Sequence, residues 1–273
     1  MSAATTSLPV AAPHEAPARP TLLEGLRQTA TLAWRSLVQI RHSPWELGDF
    51  SFQPIIFVLL FTYVFGGAIA GSTGQYLTFA LPGIIVMNML FVTMYVGMGL
   101  NTDLTKGVFD RLRSLPLARW APMAGRIAAD LVKQAWSIAL LLGVGSILGF
   151  RLGTSWLGLL GAVVLLLVFA LAFSWIPVLV GLLARDAEHV QIFGFTVMFP
   201  LTFVSNVFVP VDTLPGWLQA VVQLNPVTKL VEAARGLMVG GPVMTPVLQS
   251  LAWAAALFVV FGSLSLWAFK RRV

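Results

Sequence analysis

The chain has no cysteine, three histidines and only eleven acidic residues among its 273. Without a thiol there are no disulfides, thiolate metal centres, cysteine nucleophiles or S-palmitoylation. His14, His42 and His189 are scattered and have no partners at ligand spacing, so no metal site and no catalytic cluster is expected. No Gly-x-x-x-x-Gly-Lys-Ser/Thr run occurs, so nucleotide is not bound here through a Walker loop. Apart from Asp130, the long apolar runs contain no carboxylate. That argues against the alternative of a self-contained, ion-coupled secondary transporter, which needs ligands near mid-membrane. Charge is scarce throughout: 10% of residues are charged, against about 25% in a soluble domain.

Hydrocarbon fills the space. The chain is 58% hydrophobic with a mean hydropathy of +0.86, and its uncharged runs approach the ~20 residues a helix needs to cross a bilayer. They are too long for barrel strands. Six runs are expected to span: 50–69, closed by Gly66-Gly67; 77–100, with Pro82-Gly83 near its start; 127–150; 156–183, kinked at Pro177; 190–209, containing Pro200; and 246–269, ending in Lys270-Arg271-Arg272. Residues 1–20 are rich in Ala, Pro and Thr with no apolar core, and read as a disordered tail rather than a signal peptide. Residues 21–43 place Leu22, Leu26, Ala30, Ala33, Leu37 and Ile40 at helical spacing opposite Glu24, Arg27 and Arg35. This is an amphipathic helix for the membrane interface, ended by Ser43-Pro44.

The basic residues set the orientation. With the N-terminus cytoplasmic, thirteen of the 17 Lys and Arg lie inside and only Arg151, Lys229 and Arg235 outside, with Lys133 within the third run. Both termini are therefore expected in the cytoplasm. The same clustering at run ends accounts for the net charge of +6 without nucleic acid.

Two stretches stand out. Residues 102–126 hold five of the 17 basic residues. Leu104, Val108, Leu112 and Leu115 form one stripe of a short helix, with Lys106, Asp110, Arg111 and Arg113 off it. Between the fifth and sixth runs, 210–245 contains two helices too short to span, separated by Asn225-Pro226 and closed by Gly240-Gly241-Pro242: a re-entrant hairpin. On it Lys229, Glu232 and Arg235 share a face and are expected to pair with one another. Arg126, Asp130 and Lys133 are expected to form a ladder of ion pairs at the start of the third run. Thr62, Asn88, Thr93, Ser137, Ser174, Thr196, Thr202, Ser205 and Asn206 are expected to join helices.

Two segments carry a family likeness: Lys106-Gly107-Val108-Phe109-Asp110-Arg111-Leu112-Arg113-Ser114-Leu115-Pro116-Leu117, and Asn225-Pro226-Val227 through Ala234-Arg235-Gly236-Leu237. In this order, within six runs, the chain resembles the permease subunits of type-2 ABC exporters, a group that includes daunorubicin-resistance-type drug permeases and polysaccharide or lipid exporters. The resemblance covers residues 21–273. It departs at Asp103 and Lys106, where such permeases more often carry a Glu-rich stretch. It implies an all-α polytopic membrane protein with an interfacial helix at 21–43, a six-span permease domain at 50–269 and a basic tail at 270–273. It also implies a cytoplasmic coupling helix between spans two and three. The permease is not itself an enzyme: ATP and Mg would bind a separate ATPase subunit, and a second permease copy or paralogue and membrane lipids complete the partners. Lys106, Asp110, Arg111, Arg113, Arg185 and Asp186 would meet the ATPase. Asn225, Pro226, Lys229, Glu232 and Arg235 would belong to an outer gate. The expected cargo is an amphipathic drug, lipid or lipid-linked glycan moved outward.

Overall fold

A computed structural model describes residues 21–41, 44–108 and 121–272, and every regular element among them is helical. Helix α1 (Leu22–Arg41) opens on a reciprocal cap. The Thr21 N–H donates to Glu24 Oε2 at 2.8 Å, and the Glu24 N–H to Thr21 Oγ1 at 3.3 Å. Pro44, whose missing N–H costs nothing in a first turn, starts α2 (Pro44–Leu60). A π-helical turn (Phe61–Phe65) and α3 (Gly66–Ala70) continue it. Gly66-Gly67 therefore does not close the first run. The chain turns at Gly71, whose φ of 71° requires glycine.

Ser72 caps α4 (Thr73–Thr105), accepting from the Gln75 N–H. This 33-residue helix is the centre of the molecule: 78% of its apolar window is buried, against 22% for the stretches Phe52–Ala70 and Met244–Phe269. Tyr76, Leu77, Leu81, Ile84, Ile85 and Leu90 are sealed there. The following helices are α5 (Ala121–Ile147), α6 (Trp156–Phe173), α7 (Trp175–Leu183) and α8 (Ala187–Phe203). The break between α6 and α7 falls at Ser174. Pro177, three residues on, has no N–H for the Phe173 carbonyl and crowds it, so the helix is interrupted at the single residue Ser174, itself in helical backbone. Gly97 of α4 and Gly181 of α7 let the two backbones touch, as small residues do where bilayer helices cross.

Among the described residues, five stretches are long and apolar enough to cross a membrane: Phe52–Ala70, Thr73–Thr105, Ala124–Ile147, Trp156–Leu183 and Met244–Phe269. The fifth expected run is shorter than its apolar sequence. Helix α8 stops at Phe203 after 17 residues, about 26 Å against a hydrocarbon core of about 30 Å. Residues 204–209 leave the helix and fold over α4. There Tyr76 Oη donates to the Phe208 carbonyl at 3.2 Å and the Val207 backbone rests on Gly83. A 3-10 turn (Val211–Thr213), α9 (Gly216–Leu224) and α10 (Pro226–Val239) lead into α11 (Met244–Arg272). Helix α10 packs inside, against α4, α6 and α11, with Val227, Leu230, Val231, Ala234 and Met238 fully buried.

Candidate functional site

One end of the bundle holds Lys106, Arg185 and Asp186. Lys106 is exposed just past α4, while Asp110, Arg111 and Arg113 lie outside the described residues. Arg185 and Asp186 form the exposed turn between α7 and α8. Asn101 joins these places, its Nδ2 donating to the carbonyls of Gly181 and Ala184 at 3.0 and 2.9 Å. Asp186 caps α8, accepting from the His189 N–H at 2.9 Å and meeting its Nδ1 at 2.8 Å. The hydrogen bond from the His189 side chain, followed by that from its backbone, holds the Asp186 carboxyl below its ordinary range.

The expected ladder on α5 is only partly formed. Lys133 Nζ pairs with Asp130 Oδ1 at 3.1 Å. Arg126, however, turns away from Asp130 to Asp103 on α4, and its guanidinium lies against Gly99. Beside it, Gly125 receives α1: a Cβ there would fall 2.9 Å from Leu32 Cβ and 3.0 Å from the Thr29 carbonyl. The α1 helix thus rests on α5 next to Arg126.

At the opposite end Asn225 and Pro226 start α10, with Pro226 in its first turn. Asn225 Oδ1 accepts from the Val227 N–H at 2.8 Å, and its Nδ2 donates to the carbonyls of Leu201 and Val204 at 2.7 and 2.6 Å. A single side chain therefore begins α10 and finishes α8. The expected triad divides here too. Lys229 meets Glu232 at 3.5 Å. Arg235 instead donates from Nε to the Phe79 carbonyl at 3.0 Å and from Nη2 to the Asn206 carbonyl at 3.1 Å. Its guanidinium stacks 3.9 Å over the Phe79 ring. Asn206 Nδ2 in turn reaches Glu232 at 3.4 Å.

Of the polar residues expected to join helices, Asn88 and Ser137 do so at 2.6 Å between α4 and α5, and Asn206 does so through Glu232. Thr93, Ser174, Thr196 and Thr202 instead bond carbonyls of their own helices. Asn101, Gln134 (to the Met89 carbonyl, 3.1 Å) and Ser265 (to the Trp175 carbonyl, 3.2 Å) also bridge elements.

Composition alone did not locate a cleft of about 100 Å³ between α2, α4 and α8. Phe57, Phe91, Phe195, Phe199 and Phe203 line it, with Gln53, Asn88, Tyr95 and Gln191 as its polar groups. Phe91 meets Phe199 edge-on at 5.5 Å and Phe195 at 6.0 Å, while Phe199 stacks on Phe203 at 5.4 Å. The sequence signal was present: Gln191, Phe195, Phe199 and Phe203 recur every fourth residue. Phe195, Phe199 and Phe203 remain 41–47% exposed, a half-open aromatic wall.

Known proteins resemble the chain, one of them over nearly its whole length. The family model for the ABC-2 type transporter matches residues 27–239. The daunorubicin resistance ABC transporter permease protein DrrB1 of Streptomyces coeruleorubidus is 40% identical over 258 residues, 94% of this chain and 90% of that protein. The probable doxorubicin resistance ABC transporter permease protein DrrC of Mycobacterium tuberculosis is 27% identical over 209 residues, 76% of this chain and 75% of that one. Nodulation protein J of Rhizobium meliloti is 32% identical over 118 residues, 42% of this chain and 45% of its own.

Proposed function

Because this chain, a multi-pass membrane protein, belongs to the ABC-2 type transporter family, we propose that it is the permease of an ATP-driven exporter whose cargo is flat, largely apolar and amphipathic. The observation that carries the cargo class is the cleft between α2, α4 and α8. Its phenylalanine wall suits the face of a fused-ring molecule, and the amides of Gln53, Asn88 and Gln191 suit a polar edge. Drug resistance in the names of two relatives agrees with such a cargo. Lipids and lipid-linked glycans offer a polar head and flexible chains, a weaker match to stacked rings.

The chain supplies no nucleotide loop, so ATP and Mg belong to a separate ATPase subunit. Lys106, Asp110, Arg111 and Arg113, together with Arg185 and Asp186, form the contact that receives its stroke. A second permease, identical or paralogous, completes the pathway. Six crossings arise if α8 together with 204–209 counts as the fifth, which leaves α9 and α10 as a re-entrant gate in the outer leaflet. The termini and α1 are cytoplasmic, as the basic residues favour.

The test uses inverted membrane vesicles carrying this chain and its ATPase, with doxorubicin as the fluorescent probe. ATP-dependent accumulation is expected. Phe199→Ala is expected to weaken apparent affinity about fivefold, since a ring contact contributes about 1 kcal/mol. Accumulation indifferent to ATP would overturn the permease role. ATP-driven transport of lipid but not of doxorubicin would overturn the cargo class alone.

A further inference from the structure

We propose that Gly99, Asp103 and Arg126 form a clamp that makes α4 and α5 move as one body under force entering between them. This rests on the chain being an ATP-driven permease, and it concerns residues with no part in the contact described above. The last two turns of α4 present two faces. Gly97 and Asn101, four apart, hold α7 through Gly181 and the carbonyls of Gly181 and Ala184. Gly99 and Asp103, also four apart, lie on another face and hold Arg126.

The arginine is fixed by two unlike features. Its Nη1 donates to Asp103 Oδ2. One turn earlier, Gly99 has no side chain, and any Cβ there would collide with Nη2 and Cζ of the guanidinium. The charge attracts the group and the missing side chain makes room for it. Asp103 and Arg126 also bracket the segment in which Asp110, Arg111 and Arg113 lie, so a pull on that segment acts on both helices at the clamp. Through Gly125 the motion passes to α1, and through Gly97 and Asn101 to α7 and the 185–186 turn. Without the clamp, the same pull separates α4 from α5.

The pair is partly open, its side chains 29% and 37% exposed. Such pairs add little to stability, so its loss is read in coupling rather than in folding. Gly99→Ala is the most telling variant. The atoms it displaces are the far end of a flexible side chain, so the helix persists while the arginine loses its seat.

The experiment uses the full chain with its ATPase subunit in lipid nanodiscs. The absence of native cysteine allows nitroxide labels at Thr105→Cys and Val132→Cys, both exposed positions. In the otherwise native chain a single distance is expected both without nucleotide and after trapping with ATP and vanadate. Gly99→Ala, Asp103→Asn and Arg126→Gln should each add a longer-distance population on trapping. Transport per ATP should fall about tenfold, within the usual range of coupling between sites. Single variants that keep the native distribution would overturn the clamp. A native chain that retains no ATPase and shows no response to ATP at any labelled pair would overturn the permease role instead.

Discussion

Asn225 separates a simple helix cap from a joint between two helices, and four residues at that position tell them apart. Its oxygen caps α10 through the Val227 N–H, while its amide nitrogen closes the carbonyls of Leu201 and Val204 at the end of α8. Only this orientation of the amide works, because its reverse would set oxygen against two carbonyl oxygens. Losing the cap costs about 1 kcal/mol. Each orphaned carbonyl costs about 1 kcal/mol more, or nearer 0.6 kcal/mol by the bilayer average. Asn225→Ala should therefore destabilise by about 2–3 kcal/mol. Asn225→Ser keeps a capping oxygen and should cost about 1–2 kcal/mol. Asn225→Asp keeps the cap as well, but drives a carboxylate against two carbonyls that had been 2.6 and 2.7 Å from a donor. It should be the worst of the three, at more than about 3 kcal/mol. Unfolding in detergent followed by tryptophan fluorescence gives the order, at about 2–4 °C of Tm per kcal/mol. An aspartate variant as stable as the native chain would refute the joint, since Asp and Asn are equals at a plain N-cap.

Two further outcomes follow from the same structure. Arg235→Lys keeps the charge but cannot reach the Phe79 and Asn206 carbonyls with one planar fork while stacking on Phe79; it should lower stability by about 2 kcal/mol, whereas Lys229→Ala should cost less than about 1 kcal/mol, both read by thermal unfolding. Asp186 titrates below the ordinary carboxylate range because the His189 side chain, and then its backbone, donates to it; its hold on α8 is complete above that range and fades as pH falls through the lowered value, so protection of the His189 amide, its exchange rate relative to the free-chain rate at the same pH, should fall in acid, and unchanged protection would refute the cap.

Most of the helices were legible as apolar runs, and the errors have physical causes. Gly66-Gly67 suggested an end, but glycine is tolerated in bilayer helices, and the turn waited for Gly71, where φ is positive. Residues 204–209 read as the tail of a span because they are apolar. They are apolar because Val207 and Phe208 are buried against other parts of the chain, and hydropathy does not distinguish a buried turn from a helix. The division at Pro177 was foreseeable because its mechanism is local. Side-chain partners were less so. Arg126 sits four residues from Asp130, yet its carboxylate is Asp103, 23 residues earlier, a pairing that only the packing of α4 on α5 creates. Hydroxyls mostly returned to their own helices, whereas the amides of Asn88, Asn101 and Gln134 crossed to neighbours, having donors to spare and greater reach.

These contacts converge on α4, and that bears on how two distant ends can act together. Phe79 near one end carries Arg235, and Gly83 carries the Val207 backbone. Asn88 and the Met89 carbonyl hold α5 midway. Gly97 and Asn101 hold α7, and Asp103 holds Arg126. Phe79 and Asp103 lie in one unbroken helix, about 36 Å apart at about 1.5 Å per residue. Pro82 lies inside it without ending it. A displacement at Asp103 therefore need not pass through a chain of loosely packed side chains to reach Arg235. It is delivered along a single hydrogen-bonded rod, and the flanking helices follow according to which of its contacts hold.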